Sequence, residues 1–166
     1  MLRTSVSALA LSPLNEGHAR ALYELVQENR SHLTAYGDYR DLEAISLQAL
    51  EAQLAEGAGC NLQFGIFLHQ ELIGRVDLVP VAPPRYGLGY WLAQRWTGKG
   101  YATAALKALL EFAGTDLQAT DIYAGVTHGN WRSAAVLERA GFLPAEVFET
   151  YTRFHRALTG HSVGIH

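Results

Sequence analysis

The stretch Gln94-Arg95-Trp96-Thr97-Gly98-Lys99-Gly100-Tyr101-Ala102-Thr103 has the residue types and spacing of an anion site. It follows a strand-like segment and opens a helix-like one. The start of a helix leaves several backbone N–H groups without an intrahelical acceptor. They point the same way, and the helix dipole adds positive potential, so a phosphate fits there. Gly98 and Gly100 let the backbone approach a ligand closely or take a positive φ, and Lys99 and Arg95 bring charge nearby. Two other phosphate loops are excluded. A Walker loop needs Lys-Ser/Thr after its second glycine, whereas Gly100 is followed by Tyr101. A dinucleotide loop needs Gly-x-Gly-x-x-Gly directly after the first strand of a βαβ unit. Taken by itself, the loop also reads as a strand–helix turn that holds nothing.

Hydrophobic periodicity supplies the elements that must position this loop. Residues 3–11 alternate loosely and predict a first strand, ending at Ser12-Pro13. Ala19, Leu22, Tyr23 and Val26 fall at helical spacing within 16–30. Residues 31–40 read as a loop or short helix, and 43–56 as a helix rich in good helix formers. Then the period shortens. Residues 62–68 and 72–78 form a hairpin, Pro80, Pro83 and Pro84 break it, and 86–92 give a third strand. A helix over 99–113 shows Tyr101, Ala104, Ala105, Ala108, Leu109 and Phe112 on one face. Residues 120–127 predict a strand, 131–140 a helix stopped by Gly141, and 142–152 a last strand. This order is an α/β arrangement with a mixed sheet.

The 166 residues fit one domain, 1–166, with a sizeable core. Apolar residues make up 49% and charged ones 17%, which excludes a disordered chain. A net charge of −3 argues against nucleic acid as the main partner. No apolar run approaches membrane-spanning length, and Met1-Leu2-Arg3-Thr4 does not open like a signal peptide. The single cysteine, Cys60, cannot form an internal disulfide and reads as a spare thiol rather than a nucleophile. A cytoplasmic protein, with no membrane partner, is expected.

Gln-x-x-x-Gly-x-Gly-Tyr-Ala-Thr, preceded by Gly89-Tyr90-Trp91-Leu92, resembles motif A of the GNAT acetyltransferases. Asn130-Trp131-Arg132-Ser133-Ala134-Ala135-Val136-Leu137-Glu138-Arg139-Ala140-Gly141-Phe142 resembles their motif B. Glu28-Asn29-Arg30-Ser31-His32-Leu33 is similar to the N-terminal part of the RimJ/RimL branch, which acetylates protein N-termini. The resemblance implies a GNAT fold: a central mixed, mostly antiparallel sheet of about six or seven strands, flanked by about four helices. It also implies acetyl-CoA as cosubstrate, lying where two parallel strands splay apart, one ending at Leu92 and the other near Thr127. By similarity, Trp91 and Leu92 bind the pantetheine and polarise the thioester carbonyl. Gln94 belongs to the same motif, and backbone amides of Trp96, Thr97, Gly98, Lys99, Gly100, Tyr101 and Ala102 hold the pyrophosphate. Asn130 binds the pantetheine arm, and Arg139 reaches the phosphates. Ser133 matches the position where this branch offers a hydroxyl to the leaving sulfur; a helix-capping hydroxyl is the other reading of it.

The general base is where the chain departs from its relatives. They often carry an acid two residues before Gly-Tyr-Trp, and here that position is Gly87. Asp77, which shares a strand face with Arg75, and His128, at the end of the 120–127 strand, are the substitutes, with Glu149, Tyr151 or a water chain as others. Tyr36, Tyr39 and Trp131 are aromatics suited to an acceptor pocket. His18, His32, His69, His155, His161 and His166 show no metal-ligand spacing, so no metal is expected. The expected activity is acetyl transfer to a primary amine: a protein N-terminal or aminoacyl-type acceptor, or a small-molecule amine such as an antibiotic or polyamine. A non-catalytic acyl-CoA-binding module is the reading from another class. Dimers are common among the proteins it resembles.

Overall fold

A computed structural model describes residues 1–56 and 62–158. Cys60, His161 and His166 lie outside the described residues. Eight strands and six α-helices run in the order β1 (Leu2–Arg3), β2 (Leu9–Pro13), α1 (Ala19–Glu28), α2 (Arg30–Leu33), α3 (Arg40–Ala44), α4 (Leu47–Ala55), β3 (Leu62–Leu68), β4 (Glu71–Ala82), β5 (Arg85–Leu92), α5 (Tyr101–Thr115), β6 (Asp121–Thr127), α6 (Trp131–Arg139), β7 (Leu143–Val147) and β8 (Tyr151–Ala157). The strands form one sheet in the order β1-β2-β3-β4-β5-β6-β8-β7. Among the described residues only the β5–β6 pairing is parallel.

The sheet is the expected mixed, mostly antiparallel one, with more strands than expected. Two corrections account for this. Residues 142–152 hold a break at 148–150, and both flanking stretches pair as β7 and β8. Residues 2–13 split around a turn in which Thr4 bonds the backbone at Val6 and Leu9, leaving β1 and β2. Pro80 does not end its strand. β4 continues to Ala82 by slipping register between Pro80 and Ala82, which is how a strand accommodates a residue with no N–H.

Both faces of the sheet are covered. On one face α5 lies on Val76, Leu78, Leu88 and Ile122. Its Ala104, Ala105, Leu109 and Ala113 are buried; the alanines favour helix and let the backbone come close to the strands. On the other face α1 and α4 bury Ala19, Leu22, Val26, Leu50 and Leu54 against Leu72 and Trp91. The second cover stops at β5. Gly125, next along that face, is exposed, and Tyr123 is only half-buried.

β7 is the far edge of the sheet. All five of its residues are exposed, Leu143 and Val147 by 71% and 72%. Its register with β8 shifts between Pro144 and Glu146.

Candidate active-site cleft

β5 and β6 run side by side only over Arg85–Gly87 and Asp121–Tyr123. Past Gly87 they diverge. β5 stays paired to β4 up to Leu92, and the Ala93 amide still donates to the Ile73 carbonyl at 2.8 Å. In an antiparallel ladder, hydrogen-bonded pairs alternate, so Trp91 turns its peptide groups toward Arg75. Tyr90 and Leu92 therefore turn theirs into the gap that β6 has left. Of the two residues expected to meet the donor through their backbone, Leu92 turns its peptide groups to the gap, as Tyr90 does, whereas Trp91 turns its own to β4.

The gap opens into a cavity of about 550 Å³. Of the expected cofactor-binding residues, Trp91, Leu92, Thr97, Gly98, Lys99, Gly100, Ala102, Asn130, Ser133 and Arg139 line it. Gln94, Trp96 and Tyr101 do not; they brace the loop from behind. The Gln94 amide donates to Asn29 Oδ1 at 2.9 Å. Trp96 lies against Tyr101, ring centroids 6.1 Å apart, with the Arg95 guanidinium 4.9 Å over its ring. Gly98 (φ 77°) and Gly100 (φ 86°) both take the left-handed conformation that glycine alone adopts cheaply. The amides of Gly98, Lys99 and Gly100 have no backbone acceptor, and the first helical bond at this end is Ala104 to Gly100. Open space lies where a Cβ would stand at either glycine. Unpaired amides at the start of a fifteen-residue helix, facing open space, fit a pyrophosphate.

Charge agrees. Lys99, Lys107, Arg132 and Arg139 line the cavity against one acidic lining residue, Asp38, although the whole chain is acidic. Sequence reading missed Lys107 and Arg132. Lys99, Thr103 and Lys107 recur every four residues, a spacing that puts them on one helix face and was a legible signal. The Arg132 guanidinium also bonds Thr97 Oγ1, tying the start of α6 to the glycine loop.

Ser133 does not cap its helix; Asn130 does, with Oδ1 accepting from the Ser133 amide at 3.3 Å. The Ser133 hydroxyl is thereby free to meet the Tyr90 hydroxyl at 2.8 Å. Burial raises the Tyr90 phenol above its ordinary pKa, opposed by the Ser133 hydrogen bond, so it stays protonated at neutral pH. Two hydroxyls from β5 and α6 thus meet across the gap, a pairing that only the folded arrangement reveals.

The proposed bases separate. His128 is exposed and bonds Thr152 Oγ1 at 3.2 Å, outside the lining of the cleft. Glu149 is exposed in the turn between β7 and β8. Asp77 lies on the sheet face away from α5, in register with Gly89. There it lines an open groove with Gly87, Gly89, Tyr123, Gly125, Tyr151 and Arg153. Its Oδ1 is 3.2 Å from where a Cβ on Gly89 would stand. A carboxylate thus stands on the strand beside Gly87, over the bare backbone of Gly89, in the groove rather than in the lining of the cleft. Burial pushes the Asp77 carboxyl above its usual pKa, partly offset by the Arg75 charge. Tyr36 and Tyr39 line the cleft, whereas Trp131 is 80% exposed outside it.

Among the described residues no three His, Cys, Asp or Glu side chains gather as a metal site, and no helix is long and apolar enough to cross a membrane.

This arrangement has counterparts among known proteins. Residues 8–143 match the family model described as an acetyltransferase (GNAT) domain. YjcK of Bacillus subtilis strain 168, named as an N-acetyltransferase, is 31% identical over 140 residues, 78% of this chain and 77% of YjcK. YdaF of the same organism carries the name of a ribosomal N-acetyltransferase and is 41% identical over 85 residues. That match spans 50% of this chain and 46% of YdaF, less than half of that relative's length. RimL, a ribosomal L7/L12 α-N-protein acetyltransferase solved in complex with coenzyme A, superposes with a TM-score of 0.83 at 20% identity. The superposition covers 95% of this chain and 98% of RimL, and it establishes a common fold.

Proposed function

The chain belongs to the GNAT acetyltransferase family, whose members use acetyl-CoA, and from that premise we propose that it acetylates the free N-terminal amine of a polypeptide. One observation carries the reading. Where β5 parts from β6, a single cavity collects the unpaired amides of the 98–103 turn, the bared edge of β5 and the Ser133–Tyr90 hydroxyl pair.

Acetyl-CoA supplies an activated thioester carbonyl. The chain's residues do the rest. The loop amides and the four cations hold the phosphates. The Leu92 and Tyr90 amides are donors suited to a carbonyl oxygen that gains negative charge as the amine attacks. Asp77 takes the proton an ammonium must lose, and its raised pKa brings it nearer the working pH of a general base. The amide bond forms as the C–S bond breaks, and Ser133, with Tyr90 behind it, hydrogen-bonds the departing sulfur. The groove over Gly87, Gly89 and Gly125 supports a polypeptide acceptor, because it is an open trough along the sheet face rather than a closed pocket. A polyamine is the second reading, favoured by the exposed Asp38 carboxylate at the cleft, which suits a second ammonium.

Purified protein with acetyl-CoA, peptides bearing free or blocked N-termini, and spermidine should release thiol with the free-terminus peptides. Release with spermidine alone would move the reading to small amines. No thiol above background with any amine would end it.

A further inference from the structure

Beyond Gly87 the β5 edge has lost its partner strand, and buried peptide groups left unpaired there would be costly. Two of them, and the exposed Gln94 amide just past the end of β5, are met by side chains from one stretch of the chain. The Gln94 amide donates to Asn29 Oδ1 at 2.9 Å. The Leu92 carbonyl lies 3.1 Å from His32 Nε2. The Tyr90 carbonyl accepts from the Tyr39 hydroxyl at 2.6 Å. The contacts fall at residues 90, 92 and 94, every second position, which is the spacing an added strand would use. Their partners, 39, 32 and 29, run in the opposite direction. A fourth contact, Thr127 Oγ1 to Asp38 Oδ2 at 3.0 Å, fastens the same stretch to the end of β6 on the far side of the gap.

Three details show how firmly this stretch is set. Tyr39 takes φ 62°, a left-handed conformation that a bulky residue keeps only where its surroundings fix it. Burial also holds the Tyr39 hydroxyl protonated, so it is a steady donor. Burial lowers the His32 pKa and keeps the imidazole neutral. Because the Leu92 carbonyl can only accept, the His32 proton sits on Nε2 and the lone pair on Nδ1.

We propose that residues 29–39 act as a surrogate strand made of side chains, with His32 and Tyr39 as positioning residues. They occupy the carbonyls of the bared β5 edge, so that the Tyr90 and Leu92 amides are what this edge offers to coenzyme A in the cleft. The proposal rests on reading the cleft as the acetyl-CoA site. Without the Tyr39 hydroxyl, the Tyr90 carbonyl has no partner and draws water into the cleft beside those amides.

Calorimetric titration with coenzyme A itself, beside melting temperatures, tests this without any acceptor. Tyr39→Phe and His32→Leu should each weaken binding by about tenfold, the loss expected when a buried carbonyl is left unmet. His32→Gln, which keeps an N–H donor within reach, should recover most of the affinity; Tyr39→Phe and His32→Leu should also lower the melting temperature by a few degrees, and His32→Gln should restore it. Unchanged affinity in both Tyr39→Phe and His32→Leu overturns the proposal. So does a His32→Gln variant that binds coenzyme A as wild type but loses turnover and the acid limb of its pH–rate profile. That result would make His32 a base working through Nδ1. Affinities that follow the proposal while no amine yields thiol would uphold the surrogate strand and end the acetyl-transfer reading; normal thiol release with unchanged affinities would do the reverse.

Discussion

Ser133 and Tyr90 divide one task between two hydroxyls. Serine alone is a weak acid, and a buried phenol 2.8 Å behind it makes the proton it offers to sulfur easier to share. Ser133→Ala should lower kcat about tenfold with little change in coenzyme A affinity, and Tyr90→Phe should do the same to a smaller degree. Stopped-flow or steady-state kinetics beside calorimetry separates the two effects. Asp77 allows a sharper test because activity and stability should move in opposite directions. Its folded pKa lies above its unfolded one. A carboxyl of this kind contributes stability in full below the unfolded pKa, and the contribution is lost as pH rises through the folded value. At pH 7 the desolvated carboxylate is therefore a burden. Asp77→Asn should raise the melting temperature by roughly 1–3 °C at pH 7 while cutting kcat/KM by about a hundredfold. The thermal gain should shrink as pH falls toward 4, and a loss of melting temperature at pH 7 would contradict the assignment.

At the scale of elements, the 94–103 turn was legible because everything it needs is local: two glycines, a helix start and nearby cations. Its strain is local too. Gly98 and Gly100 meet nothing within 4 Å where a Cβ would stand, so Gly100→Ala should cost only the backbone penalty of a left-handed residue, about 1 kcal/mol. It should also raise the KM for acetyl-CoA, because the added methyl group would stand in the open space the pyrophosphate needs; thermal melts and initial rates report the two. Asn130→Ala removes the α6 cap and frees the Ser133 amide, a loss of about 1 kcal/mol that chemical denaturation measures. The division of labour between Asn130 and Ser133 was not legible. Both are good capping residues three positions apart, and only the approach of Tyr90 decides which of them caps. Nor could the hydrogen bonds that His32 and Tyr39 make to β5 be read, since they join residues sixty and fifty-one positions apart.

For the whole molecule, the order of strands and helices followed from periodicity, and the mixed sheet followed from their order. What periodicity does not contain is where two strands stop pairing. β5 and β6 look like any strands in sequence, and no local residue pattern marks Gly87 as the place where their pairing ends. The same divergence makes stability depend on ligand. Coenzyme A at about a hundred times its Kd should add ~2.7 kcal/mol, a rise of roughly 5–10 °C in melting temperature for a chain this size, readable by differential scanning calorimetry. At the opposite end of the sheet, β7 exposes Leu143 and Val147 along an edge with no neighbouring strand among the described residues. A flat apolar edge of that kind is a template for runaway stacking of one chain upon another. Pro144 withholds an N–H from it, the slip beside Glu146 twists it, and the Glu146–Arg153 pair at 3.2 Å keeps charge on it. Pro144→Val should leave turnover intact and shorten the time to turbidity in concentrated solution, so the limit on how densely this protein can be stored is set far from its active site.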